Sequence, residues 1–126
     1  MTVKRLAKYV AGATAVAAVA AISAAPAGAR ELWVIIVYSP ATGAIGWDGF
    51  APSYDEGMTA ARGMCVERGG TDCQSAAWTP HGCAALAVAW YGAWHGGVGK
   101  TKEEAEWNAL WGAWFGEIKV SECAIA

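Results

Sequence analysis

The chain begins with one long apolar run and then changes character. From about Tyr9 to Ala25 no charged residue interrupts a stretch dominated by alanine and valine. Lys4, Arg5 and Lys8 precede it, and Ala27-Gly28-Ala29 follows with small residues at the two subsites that signal peptidase reads. A positive flank, an apolar centre and a small-residue exit are the three parts of a secretion signal, which predicts a leader over 1–29 and cleavage after Ala29. A membrane anchor needs about 20 strongly apolar residues, whereas this run is mostly alanine and ends at Pro26. The residue directly after the exit site is Arg30 and not Cys, which excludes a lipoprotein anchor. The expected mature chain is therefore 30–126, enough for one domain, with no stable membrane span after the leader is removed.

Within 30–126 the apolar pattern is written twice. Leu32 to Tyr38 is a continuous apolar run that predicts a strand, followed by a turn at Ser39-Pro40-Ala41-Thr42-Gly43 and a second strand over Ala44 to Trp47. Ser53-x-x-Glu56 is a capping box, in which a hydroxyl and a carboxylate satisfy the unpaired N–H groups that open a helix. It predicts a helix running to about Val66, and a strand from Cys73 to Trp78 follows. The second pass repeats this order. Cys83 to Trp90 is an apolar strand, Tyr91-Gly92 a turn, and Ala93 to Gly96 extended. Thr101-x-x-Glu104 is the second capping box, opening a helix to about Trp114, and Ile118 to Ile125 is the last strand. Apolar runs of this length indicate strands covered on both faces. The predicted fold is α+β. Two strand–strand–helix–strand units, related by a pseudo-twofold, share an antiparallel or mixed sheet with two helices, and the whole is stabilised by disulfides.

Cysteine count bears directly on that stabilisation. Cys65, Cys73, Cys83 and Cys123 all lie beyond the leader, and an even number in an oxidising compartment reads as two disulfides. No C-x-x-C pair is present, so the spacing does not suit zinc. Three pairings are possible. Cys65–Cys73 with Cys83–Cys123 is preferred, because it joins a helix end to the strand that follows and one strand of the second half to another. Closing those loops is worth about 2.6 and about 3.9 kcal/mol in the chain-entropy model.

Eight tryptophans, all beyond residue 29, supply the large apolar surface that so short a chain needs for a core. The charge balance narrows the partners. Nine Lys and Arg stand against eleven Asp and Glu, and loss of the leader removes three of the cations, leaving a net charge of −5. The clustered basic residues that bind nucleic acid or an anionic membrane surface are missing.

Tyr38-Ser39-Pro40-Ala41-Thr42-Gly43-Ala44-Ile45-Gly46-Trp47, then a helix ending at Cys65, then Cys73, then Cys83-Ala84-Ala85-Leu86-Ala87-Val88, resemble the domain of unknown function 4189. That family occurs in secreted bacterial proteins, many of them actinobacterial, including mycobacterial ones. The resemblance covers nearly all of residues 32–124 and implies export and fold, with no catalytic residue to carry over. Family members often have a further Cys where this chain has Ala113, so any pairing through that position is absent here.

Candidate chemistry is sparse, and no catalytic residue, cofactor or metal is expected. Gly99-Lys100-Thr101 ends like a phosphate-binding loop, but the required glycine is replaced by Trp94, and the segment reads as a strand-to-helix loop with Thr101 as N-cap. His81 falls in a turn between strands. His95 stands opposite Asp48 when the two halves are superposed, which would suit acid–base work, yet no nucleophile accompanies the pair. Glu103, Glu104 and Glu106 crowd a helix start, where the helix dipole already favours carboxylates.

The second helix carries two apolar faces. Ala105, Ala109 and Ala113 form a small-residue face, matched in the first helix by Gly57, Ala61 and Cys65. Trp107, Leu110, Trp111 and Trp114 form another, where the first helix has Thr59 and Gly63 in place of Trp107 and Trp111. Either the alanines pack on the sheet and the indoles of Trp107 and Trp111 form a partner-binding surface, or the indoles are core and the alanines face water. The expected function is an exported, non-enzymatic binding or effector module of the cell envelope or extracellular space, with an envelope or host protein as partner. The alternatives are a small envelope enzyme using His95 and Asp48, and a structural or stress protein of the cell wall.

Overall fold

The structure is a computed structural model that describes residues 32–124. The leader and its cleavage site lie outside the described residues. The elements run β1 (Trp33–Tyr38), β2 (Ile45–Ala51), α1 (Tyr54–Glu67), β3 (Gln74–Pro80), β4 (Cys83–Val88), β5 (Trp94–Gly99), α2 (Lys102–Gly112) and β6 (Glu117–Cys123). Both helices begin where the capping boxes place them. Ser53 Oγ accepts from the Glu56 N–H at 3.2 Å, and Thr101 Oγ1 from the Glu104 N–H at 3.1 Å.

The expectation of one shared sheet is corrected. There are two antiparallel three-stranded sheets, ordered β2-β1-β3 and β5-β4-β6, each with its first strand in the centre. Side-chain alternation explains the separation. Successive residues of a strand face opposite ways, and both central strands are apolar at every position. Val34, Ile36 and Tyr38 of β1 face Ala84 and Leu86 of β4 in the core between the sheets. Ile35 and Val37 point the other way, onto Ala61 and Cys65 of α1. Ala85 and Ala87 likewise point away from the first sheet, onto Ala105, Ala109 and Ala113 of α2. The order of layers is therefore helix, sheet, sheet, helix. Joining edge to edge in one sheet would have left one face of each central strand without cover.

Glycines set the spacing of these layers. A Cβ at Gly46 of β2 would collide with the Ala61 carbonyl oxygen and lie 2.7 Å from the Cys65 nitrogen. A Cβ at Gly97 of β5 would collide with the Ala109 nitrogen and lie 2.5 Å from the Ala105 oxygen. Each helix thus rests its backbone on a bare strand, and only small residues fit on the helix side.

Both disulfides form as the sequence suggests. Cys65–Cys73 joins the last turn of α1 to the segment entering β3, with Cα atoms 6.3 Å apart. Cys83–Cys123 joins directly opposed residues of β4 and β6, with Cα atoms 3.8 Å apart. None of the described cysteines is free.

Candidate binding face

The second helix ends sooner than its apolar pattern predicts, at Gly112 rather than Trp114. Trp114 and Phe115 have φ of 53° and 57°, in the left-handed region. The Phe115 N–H returns to the Leu110 carbonyl at 2.6 Å, which closes the helix in the Schellman manner. The first helix closes in the same way, with the Gly70 N–H on the Cys65 carbonyl at 2.9 Å and Gly69 at φ 97°. There the chain uses Gly-Gly. Here it uses Trp-Phe, although a left-handed residue with a Cβ costs about 1–2 kcal/mol.

The strained turn folds Phe115 back over the helix. Its ring lies 5.7 Å from Trp107 and 4.8 Å from Trp111, and the two indoles are 5.7 Å apart. All three rings meet edge to face, the arrangement that aromatic quadrupoles favour. The cluster faces solvent. Trp107 is 53% and Trp111 58% exposed, whereas Ala105, Ala109 and Ala113 are fully buried. The alanine face is thus the one on the sheet. The contribution of the left-handed turn can be measured by replacing Trp114 with Gly and with Val. Both remove the same indole, so their difference reports the backbone. The Gly variant is expected to be the more stable by about 1–2 kcal/mol, and equal melting curves would show that no left-handed residue is required there.

Beside Phe115 lies an open groove of about 320 Å³, lined among others by Val88, Ala89, Trp90 and Gly116, with Glu117 and Lys119 at its edge. Trp90, at the tip of the β4–β5 turn, is 94% exposed and touches Tyr91 edge to face at 5.3 Å. Glu117 and Lys119 form an ion pair at 2.9 Å. The hydrogen bond and charge of Lys119 hold the Glu117 carboxyl below the usual range.

Strand register shows what stands at the same place in the first sheet. Tyr38 pairs with Ile45 and Gln74, as Val88 pairs with Trp94 and Glu117. Ser39 therefore corresponds to Ala89 and Pro40 to Trp90, whereas the link from helix to outer strand is two residues longer in the first half and carries Asp72 there. Ser39 is fully buried; its hydroxyl donates to Asp72 Oδ1 at 2.5 Å and accepts from the Thr71 N–H and the Thr42 hydroxyl. Asp72 also accepts from the Ala41 N–H. A polar latch closes the first turn. In the second sheet Ala89 stands in place of Ser39, the shorter link has no counterpart of Asp72, and an aromatic-walled groove is left.

The other candidates do not converge. Asp48 pairs with Ile35, whose side chain faces α1, while His95 pairs with Ala87, whose side chain faces α2. Paired residues share a face, so Asp48 and His95 lie on the outer sides of different sheets, with both sheets between them. The Asp48 carboxylate caps its own chain, accepting from the Phe50 N–H at 2.8 Å. The His95 ring sits where a side chain on Gly112 would be. Glu104 serves the loop before the helix, accepting from the Lys100 N–H at 2.6 Å. Among the described residues no group of three or more His, Cys, Asp or Glu could hold a metal, and no helix is long and apolar enough to cross a membrane. Sequence reasoning missed the groove, Trp90 and Phe115. The signal was present in Trp114-Phe115, which stand where the first helix has glycine.

Fold and face together define a small disulfide-bonded α+β domain with two antiparallel sheets between two helices and an aromatic surface at one end. The chain belongs to the family described as Domain of unknown function (DUF4189), which matches residues 33–125. No curated protein and no solved structure matches it.

Proposed function

We propose that this is an exported, non-enzymatic binding module of the cell envelope or extracellular space, meeting a protein outside the cytoplasm through Trp107, Trp111 and the rings beside them. The observation that carries this reading is the exposed Trp107–Trp111–Phe115 cluster, held in place by two left-handed residues that the helix closure does not require to be aromatic. Strain retained without a folding benefit is a mark of functional surface, and exposed aromatic patches mark interaction sites. The two strand–strand–helix–strand halves, read as duplicated units related by a pseudo-twofold, lend support. Where the first half has a polar latch and a Gly-Gly ending, the second has Trp90 and Phe115, which line one groove, and Trp114. The leader pattern and the two disulfides support export.

Replacing both Trp107 and Trp111 by Ala tests the face. Truncating one buried Trp costs about 3–5 kcal/mol, whereas this double change is expected to move stability by only about 1 kcal/mol, read by thermal melt. A collapse of the melting temperature would make the cluster core and end the reading. Export has its own test. Intact mass of the protein recovered outside the cytoplasm should correspond to a chain beginning at Arg30, and a mass that retains Met1 refutes cleavage.

A further inference from the structure

We infer that the occupant of the aromatic face is a second copy of this chain, paired through a twofold axis. The inference rests on reading that face as a binding face and adds the identity of the partner. Area is the first argument. Trp90, Tyr91, Trp107, Trp111 and Phe115, linked by ring contacts and by the groove, are each half or more exposed. Together they leave about 450–750 Å² of aromatic surface in water. The largest apolar patch on a typical monomer is about 300–600 Å², while one side of a standard-size interface buries about 800 Å². The aromatic rings therefore supply most of what one side of a stable dimer needs.

Shape is the second argument. A twofold interface must be complementary to itself, so a protrusion and its receptacle have to lie on the same face. Trp90 is the protrusion, an indole 94% exposed at a turn tip. The receptacle is the groove of about 320 Å³ between that turn and Phe115. Its lining is mostly apolar where the first half holds the Ser39–Asp72 latch, so an indole entering it meets Ala89, Val88 and the Phe115 ring, with the paired Glu117 and Lys119 beside them.

Charge is the third. Any net charge near a twofold axis meets its own like across the interface. Here the one ionic pair at the groove, Glu117 with Lys119, is self-neutralising. The acids of α2, Glu103, Glu104 and Glu106, lie in its first turns, with Glu103 one turn before Trp107 on the same stripe, at the rim of the face rather than at Phe115. A face built for a basic or acidic partner would carry the opposite charge at its centre, and this centre is neutral.

Sedimentation velocity on the purified, oxidised protein at concentrations up to about 100 μM decides the matter. The wild type is expected to sediment as a dimer that dissociates on dilution. Trp90→Ala and the Trp107→Ala/Trp111→Ala variant should both sediment as monomers while keeping the wild-type melting temperature at low concentration. A wild type that stays monomeric throughout overturns the inference, as does a dimer that both variants leave intact. Trp90 is too exposed to be core, so the single variant keeps the test valid should the double variant fail to fold. A monomeric wild type whose double variant is stable removes only the twofold pairing and leaves the face for an unlike partner. A double variant that unfolds removes the binding face itself.

Discussion

Removing the Cys83–Cys123 disulfide by replacing both residues with Ala is expected to lower the melting temperature by about 15–30 °C. The bridge spans 40 residues of sequence, and closing such a loop withdraws about 3.9 kcal/mol of entropy from the unfolded chain in the chain-entropy model. In a domain of this size each kcal/mol moves the midpoint by about 4–8 °C. The position adds to the loss. Cys83 opens the central strand β4 and is almost fully buried, and Cys123 is directly opposite it on β6. The same change at Cys65 and Cys73, separated by 8 residues, should cost about 2.6 kcal/mol. Melts of the two double variants, with the wild type in reducing buffer as the limit, give the comparison. A Cys83–Cys123 variant that melts above the Cys65–Cys73 variant would show that loop length does not rank the two bridges.

The second large effect comes from adding a single carbon. Gly97→Ala should destabilise the domain by about 3 kcal/mol or more, at the upper end of what overpacking costs. Its Cβ would enter the backbone of α2 at Ala109 and Ala105, and a helix backbone cannot swing aside as a side chain can. Gly46→Ala should behave alike against Ala61 and Cys65 of α1. Gly63 is the control. It lies within α1 with open space where its side chain would be, so Gly63→Ala should raise stability by about 1 kcal/mol through helix propensity. Chemical denaturation of the three variants checks both signs. Equal midpoints for Gly97→Ala and wild type would mean that the helix does not rest on the strand.

The local signals in the sequence were good guides because they are local. A capping hydroxyl places a helix start whatever packs on it, and Ser53 and Thr101 did so. The Cys65–Cys73 pairing followed from a helix end and the strand that adjoins it in sequence, and Cys83–Cys123 from two strands of the second half expected to be neighbours. The number of sheets was not legible in this way. An apolar residue at every position of β1 and β4 says that both faces are covered, but a second sheet and a neighbouring helix cover a face equally well. Gly46 and Gly97 carried the missing information, since a bare position inside a strand signals a close backbone approach. The binding face was half legible. The two-faced pattern of α2 exposed the choice between alanines and indoles, yet the match of Trp114-Phe115 to Gly69-Gly70 is a weak signal for Phe115, because its place depends on a left-handed turn that Trp114 and Phe115 are poor candidates to form.

The way the two bridges are placed has a mechanical consequence. Each closes a loop within its own sheet-and-helix half, and neither crosses from one half to the other. What unites the halves is the short link at His81 and Gly82 and the apolar seam of Val34, Ile36, Tyr38, Ala84 and Leu86. A protease that severed this link would release no fragment in native buffer, because the seam would still hold, and denaturant would then separate two pieces with every disulfide intact. Neither piece could stand alone, since each would turn a full face of apolar strand to water. The domain is two laced shells closed on one another, and beyond the single chain link its cohesion lies in the fit between them rather than in any disulfide.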